Sequence, residues 1–485
     1  MDKRYSEQNS VHARNGELKD SLVVGQTSQG IEIHATLLRL TRYLTVFEIY
    51  NPALVLRTSE VLDNFKVMFQ DRTIYSGRAV ISSLVSTGAV TVCEARLDES
   101  CFSIASFSPA AVGIRLRDGF DEFLNDWQKN YKVLPEFKVV MADMQTFLSD
   151  LRLWLEQVEL QIRSAPTGDR VEMERQTVEE FGQAMVPAFD ALHERLEDIS
   201  GRIEADLRPV HQNFSKRQLH PLVMCSPFAY RTYNKPLGYA GDYEMVNMIL
   251  RSPFEGASLF AKVVNLWFLS QWPAKAHRNR VEYLKNRLVE ESLRGARRDK
   301  PVRVLNLGCG PAREVQEFLL ENAACEHANL TLLDFSEEAV QHTARILDGI
   351  KHQQGRGTPI HVQKKSVHQL LKEGSKPTVG SDGSNYDFVY CAGLFDYLPD
   401  RTCRQLMEVF YHWLAPGGSI IATNVVDSKP FRHMLEFVLD WHLNYRDEKR
   451  CAALMPERAL PDCCHLGRDS TGVNVFIEVR KPGHA

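Results

Sequence analysis

Residues 302–311 read Val-Arg-Val-Leu-Asn-Leu-Gly-Cys-Gly-Pro, and this decapeptide constrains the chain more than any other stretch. Val302, Val304, Leu305 and Leu307 mark a buried strand, and glycines at 308 and 310 mark a tight turn. After Pro311 the apolar positions Val315, Phe318 and Leu319 recur at helical spacing. The next apolar run, Leu330-Thr-Leu-Leu333, closes on Asp334. Strand, glycine turn, helix, strand and terminal acid form the nucleoside-binding half of an α/β sheet. Glycine lets the backbone approach a ligand closely, and the acid can hold the two hydroxyls of a ribose.

Asp334 follows Gly310 by 24 residues, near the spacing of about 20 usual for such an acid. A third glycine, which permits close helix–strand packing around a pyrophosphate, would fall at 313, and that residue is Arg313. This argues against NAD and FAD. No Gly-Lys-Ser/Thr stands ready to cradle a triphosphate. The nucleoside ligand left with this layout is S-adenosylmethionine.

The downstream pattern agrees. Tyr386–Cys391 reads as a fourth strand and Ala392–Asp400 as the loop after it. A helix from about Arg401 to Leu414 follows, then the turn Ala415-Pro-Gly-Gly418 and a fifth strand, Ser419–Asn424. Over about Arg280 to Arg480 the chain resembles the class I methyltransferases. That resemblance implies a Rossmann-like α/β domain with a seven-stranded sheet and S-adenosylmethionine as cofactor. Gly308, Cys309, Gly310 and Pro311 would line the cofactor turn, Asp334 would bind the ribose, and Phe335 could stack on adenine. Ser366 stands where many such enzymes place an acid against adenine. Gly393 lies at the carboxyl edge of strand four, and Arg280 is placed to pair with the cofactor's carboxylate. Cys309 is most simply a small residue that fits the turn.

Composition bounds the remainder. At 485 residues, 44% of them hydrophobic, the chain can bury a large core in two or three domains. A net charge of -4 gives no general attraction to nucleic acid. No apolar run approaches the roughly 18 residues of a membrane span. Ten scattered cysteines form no Cys-x-x-Cys pair, so no metal site is expected, and a reduced cytoplasmic setting is the simplest reading.

Residues 1–20 read as a disordered tail. Over 21–118 short alternating runs (Ile31–Ile33, Leu44–Tyr50, Phe65–Phe69, Thr73–Tyr75, Ala79–Leu84, Val90–Ala95, Gly113–Leu116) predict a small β-barrel. The layout resembles the PilZ domain, but the family's Arg-x-x-x-Arg arm and serine motif are missing; Arg39 and Arg42 have the wrong spacing, and Asn51-Pro-Ala53 stands where the serine motif would be. A degenerate barrel used for interaction or regulation, without a nucleotide, is expected. Over 119–215 the period is helical, with Phe123, Trp127, Met144, Phe147, Leu151 and Trp154 on one face and a break at Ala165-Pro-Thr-Gly168. This predicts an antiparallel pair or bundle, with a homodimer through it as the minority reading. The catalytic domain is expected over 216–485.

Residues 226–247 hold four tyrosines, two prolines and two glycines, which predicts a lining loop, with Asp242 capping a helix over Tyr243–Leu250. Here the resemblance narrows. Lys235–Glu244, Asn306–Arg313 and Asp440–Arg446 are similar to the bacterial proteins linked to 3-hydroxypalmitic acid methyl ester biosynthesis, which make a quorum-sensing signal. This implies methyl transfer to the carboxylate of a fatty acid or 3-hydroxy fatty acid, free or carrier-bound. Such a carboxylate is ionised at neutral pH, its pKa being about 4, so no general base is needed. Tyr239 and Tyr397 are then candidates to bind it by phenol hydrogen bonds. A helix at about 431–446 would present Met434, Val438, Trp441 and Tyr445 as an apolar face, and on another face Arg446 as the carboxylate anchor. The alternatives are a methyltransferase for another small acceptor and a cofactor-binding signalling module without catalysis. DNA amino groups are disfavoured, since Ala392-Gly-Leu-Phe395 replaces the Asn/Asp-Pro-Pro-Tyr/Phe such enzymes carry.

Overall fold

The computed structural model describes residues 21–41, 43–51, 54–69, 72–86, 90–98, 132–374 and 386–483. The expected tail at 1–20, the strand at Gly113–Leu116, the helix positions Phe123 and Trp127 and the boundary at 118/119 lie outside these residues.

Six strands close into an antiparallel barrel: β1 (Ser21–Gln26), β2 (Glu32–Leu40), β3 (Leu44–Ile49), β4 (Val61–Phe69), β5 (Arg72–Ser86) and β6 (Thr91–Leu97), in the order β1-β2-β3-β6-β5-β4. Period-two alternation sends Val23, Ile33, Leu37, Phe47, Phe65 and Val67 inward. Phe47 and Phe65 meet at 5.6 Å. The sequence reading split β5 at Ser76-Gly77-Arg78. The strand instead runs through these residues and pairs with β4 on one side and β6 on the other, because a long strand must bend to close a small barrel.

Helices Pro135–Ser164 and Arg170–Gly201 pack antiparallel about the expected break at 165–168. A third helix, Arg208–Val223, runs through the expected boundary at 215/216. The core explains why no boundary falls there. Phe137, Met144, Phe189 and Leu196 share one apolar cluster with Trp267, Phe268 and Phe431, so the helical region is the outer layer of the domain that follows. Trp154, expected in that core, is 45% exposed and meets Phe181 edge-on at 4.5 Å. Glu197 caps the helix Arg432–Val438, accepting from the backbone N–H of His433 (3.0 Å) and of Met434 (2.8 Å). Burial would raise its pKa, but hydrogen bonds and charge from His193 and His433 hold it at about 2.

The second sheet contains β7 (Val302–Leu307), β8 (Ala328–Asp334), β9 (Ile360–Lys364), β10 (Tyr386–Cys391), β11 (Leu414–Val425), β12 (Cys464–Arg468) and β13 (Asn474–Arg480). Its order is β12-β13-β11-β10-β7-β8-β9, with β13 antiparallel to both neighbours. β7, β8, β9, β10 and β11 pair in parallel. This is the seven-stranded arrangement of the class I methyltransferase fold. The order reverses between β7 and β10, and the carboxyl ends at such a switch point form the ligand crevice of an open α/β sheet.

Candidate active site

The turn after β7 is built by backbone hydrogen bonds to the end of β8. The N–H of Gly308 (2.8 Å) and of Cys309 (3.1 Å) both donate to the Leu333 carbonyl. Gly310 N–H donates to Asp334 Oδ2 (3.0 Å), and Ser336 N–H donates to Asp334 Oδ1 (2.9 Å). The Phe335 N–H also acts on the carboxylate, and two oxygens with about four lone-pair sites between them still keep capacity for a ribose hydroxyl. Asp334 is 5% exposed and lines the cavity above the turn. Burial raises its pKa, against the opposing pull of the Ser336 and Gly310 N–H groups. Gly310 has φ +50°, and a Cβ built there meets no atom within 4 Å. Backbone and open space lie together where a ligand must approach closely.

Phe335 projects from the next position, its ring 4.9 Å from that of Tyr239. Tyr239 lies on the Asp334 side of the cavity, its hydroxyl hydrogen-bonded with Ser336. Ser366 also lines the cavity, but its Oγ caps the helix Val367–Gly374 by accepting from Gln369 N–H (3.2 Å). Cys309 is buried, and burial raises its thiol pKa well above the usual range, which keeps it protonated and inert as a nucleophile. Pro311 lines the same wall.

Arg280 enters from the helix Trp272–Ala296 and is 9% exposed. A Cβ on Gly393 (φ +80°) would lie 2.9 Å from its Nη2, so glycine there makes room for the guanidinium. Nη2 also lies 2.9 Å from His277 Nδ1. Burial, then the charges of Arg280 and Arg278, push the His277 pKa well down. His277 is thus neutral and can accept from Arg280. Asp396 and Glu314 supply opposing negative charge to Arg280. Glu314 is held by Tyr390 Oη (2.8 Å) and Asn306 Nδ2 (3.1 Å), both donating to its Oε1. A buried guanidinium and a buried carboxylate on one wall match the carboxylate and ammonium of an amino-acid group.

The cavity continues away from the glycine turn into an apolar chamber walled by Met245, Ile249, Phe268, Trp272, Leu435 and Trp441. The whole cavity, from the glycine turn to the open mouth and the solvent in it, spans about 2240 Å³. Tyr397 stands in it, its Oη accepting from Trp441 Nε1 (3.0 Å). The Tyr445 hydroxyl is buried without a hydrogen-bond partner in the same wall.

Arg446 does not reach this chamber. Its side chain is wholly buried and ties loops together. Nε donates to Asp400 Oδ1 (2.8 Å), Nη1 to the Phe395 carbonyl (2.8 Å) and Asn424 Oδ1 (2.5 Å), and Nη2 to the Leu398 carbonyl (2.6 Å). Its expected role as carboxylate anchor is corrected, because its donors are already committed. The helix expected to 446 ends at Val438, and Asp440 turns the chain at φ +48°. Trp441 and Tyr445 reach the site from irregular backbone. Likewise Pro227–Asn234 is a helix, capped by Ser226 Oγ accepting from Ala229 N–H (3.2 Å), and not the expected loop. Asp242 does cap Tyr243–Leu250, accepting from Met245 N–H (2.8 Å).

Three residues at the site received no role from sequence: His277, Glu314 and, from the barrel, Arg57. For Glu314 and His277 a signal existed, since each lies a few residues from an expected ligand contact. Arg57 had none, because only docking of the barrel brings it here.

The comparisons with known proteins bear on the same region. Residues 305–420 match the methyltransferase domain family. No curated protein matches the sequence. Among solved structures, a possible exported protein from Bordetella parapertussis is 16% identical, covering 62% of this chain and 97% of its own, at TM-score 0.39. Magnesium protoporphyrin IX methyltransferase from Synechocystis PCC 6803, with bound SAH, is 11% identical over 44% and 87%, at 0.30. The N-methyltransferase NodS from Bradyrhizobium japonicum WM9, also with SAH, is 16% identical over 50% and 98%, at 0.29. At such scores these likenesses bear on neither substrate nor mechanism. The family match and the strand order together identify residues 305–420 as a methyltransferase domain, of the class that takes S-adenosylmethionine as methyl donor.

Proposed function

We propose that this protein transfers the methyl group of S-adenosylmethionine to the carboxylate of a fatty acid or 3-hydroxy fatty acid. The observation that carries this reading is the chamber. Met245, Ile249, Phe268, Trp272, Leu435 and Trp441 give it an apolar lining continuous with the cofactor turn, the kind of wall that an acyl chain buries against. When bound, the donor supplies a methyl made electrophilic by the adjoining sulfonium. Asp334 holds the ribose, Phe335 and Tyr239 wall the adenine, and Arg280 with Glu314 takes the amino-acid end. Tyr397 and Tyr445 present phenol hydroxyls to the acceptor's carboxylate, and Tyr445 takes the place expected for Arg446.

The carboxylate is the nucleophile as it arrives, so the chain has only to orient it in line and exclude water. Positioning of this kind can contribute roughly 7–11 kcal/mol. Neutral His277 is engaged with Arg280, which accords with chemistry that needs no base. The test is incubation of the pure chain with methyl-labelled donor and acceptors of equal chain length ending in carboxylate, hydroxyl or amine. Label should enter the acid alone. Entry into the amine or alcohol would assign another acceptor class, and donor binding without transfer to any of them would support a signalling role.

A further inference from the structure

We infer that the N-terminal barrel completes the cofactor site, with Arg57 as a nucleoside-binding residue contributed across the domain interface. The inference rests on the methyl-donor reading above and extends it to a residue outside the catalytic sheet. The segment 54–60 leaves the barrel and docks on the catalytic domain. Thr58 N–H donates to the Tyr397 carbonyl (3.1 Å), Val61 N–H to the Gly238 carbonyl (2.7 Å), and Ser59 Oγ to the His442 carbonyl (2.9 Å). This places Arg57, 5% exposed, in the cavity wall. Its guanidinium lies 3.8 Å from the centre of the Phe335 ring and 5.1 Å from that of Tyr239. These are the two rings that wall the adenine end.

The group is held from behind. Nη2 donates to Ser28 Oγ (2.9 Å), Ser28 Oγ donates to Glu60 Oε1 (2.6 Å), and Glu60 Oε2 accepts from Arg57 N–H (3.1 Å). Nε is buried with no hydrogen-bond partner, its distance to Glu60 Oε2 being 3.6 Å. The ion pair and the Ser28 hydrogen bond fix the guanidinium against the two rings, where an adenine nitrogen or ribose oxygen in this cavity would meet its remaining N–H donors. The positive charge also acts on Asp334 across the site. By linkage, whatever binding gains from docking, docking gains from binding.

The test uses the full chain and two ligands, S-adenosylhomocysteine and methylthioadenosine, which keeps the nucleoside but lacks the amino-acid end. Arg57→Met should weaken both by about tenfold, the effect of one charged hydrogen bond. Arg280→Met should weaken the homocysteine compound far more than methylthioadenosine. In the unaltered protein, S-adenosylhomocysteine should slow hydrogen exchange at the Thr58 and Val61 amides. Wild-type affinity in Arg57→Met, alongside weakened binding in Asp334→Ala, would overturn the inference while leaving the donor reading intact. Exchange at Thr58 and Val61 unmoved by bound ligand would overturn it even if Arg57→Met fails to fold. Absence of any S-adenosylhomocysteine binding to the wild type would sink the donor reading, and the inference with it.

Discussion

Asp334→Ala is the most direct probe of the cofactor end. The side chain accepts Gly310 N–H and Ser336 N–H, one on each oxygen, with the Phe335 N–H also acting on it, and it lines the cavity. A hydrogen bond to a charged group is worth about 1.5–3 kcal/mol. Loss of one ribose contact therefore weakens binding at least about tenfold, and loss of both, about 3–4 kcal/mol, several hundredfold. The two N–H groups released sit at a cavity that water can enter, so the variant should fold with only a small change in Tm. Titration calorimetry with S-adenosylhomocysteine reads the affinity, and circular dichroism checks the fold. A folded variant with wild-type affinity would refute the ribose assignment, and with it the reasoning that free lone pairs on a buried acid mark the nucleoside site.

Three further outcomes are expected. Arg446→Leu strips donors from the Phe395 and Leu398 carbonyls and from Asn424, so chemical denaturation should show a loss of about 3–5 kcal/mol; unchanged stability with a raised KM for acid would restore Arg446 as an acceptor anchor. Tyr445→Phe removes a hydroxyl in the chamber wall that is buried without a partner, so KM for the acid acceptor should rise severalfold while S-adenosylhomocysteine affinity stays put; equal KM would remove Tyr445 from the acceptor contacts. His442 is buried neutral, and burial lowers its pKa to about 4, against about 6.5 in the unfolded chain. Its contribution is present above pH 6.5 and is lost as pH falls toward 4, by about 3 kcal/mol in all. Denaturation at pH 7 and pH 5 should show the drop, and His442→Phe should flatten it; the same slope in both proteins would count against this source.

What the sequence made legible follows from the range of the forces involved. The turn from β7, the acid at the end of β8 and the helix cap at Asp242 are local, set by φ angles and hydrogen bonds over a few residues, and they are where the pattern placed them. The helix break at 165–169 is equally local. Arg446 was misread because its charge suggested an anion, whereas its partners Phe395, Leu398, Asp400 and Asn424 come from two distant segments that only the fold assembles. The contact between Tyr239 and Phe335 was out of reach for the same reason, the two lying far apart in sequence. The helix Arg208–Val223 runs across 215/216, since a change in periodicity marks a change of element and not of core. Helices on both sides bury their apolar faces together, so one cluster spans Phe137 to Trp441. Arg57 is the extreme case, a residue between barrel strands whose role depends on how two folded units dock.

The central claim is tested most directly by locating the transferred methyl on a 3-hydroxy fatty acid, which offers a carboxylate and a hydroxyl in one molecule. With a carbon-13 methyl donor, the account expects an ester methyl in the product's NMR spectrum, released as methanol by mild base. An ether methyl on the 3-hydroxyl that survives base would contradict it, because that reaction requires a base to take the hydroxyl proton and the site has been read as needing none.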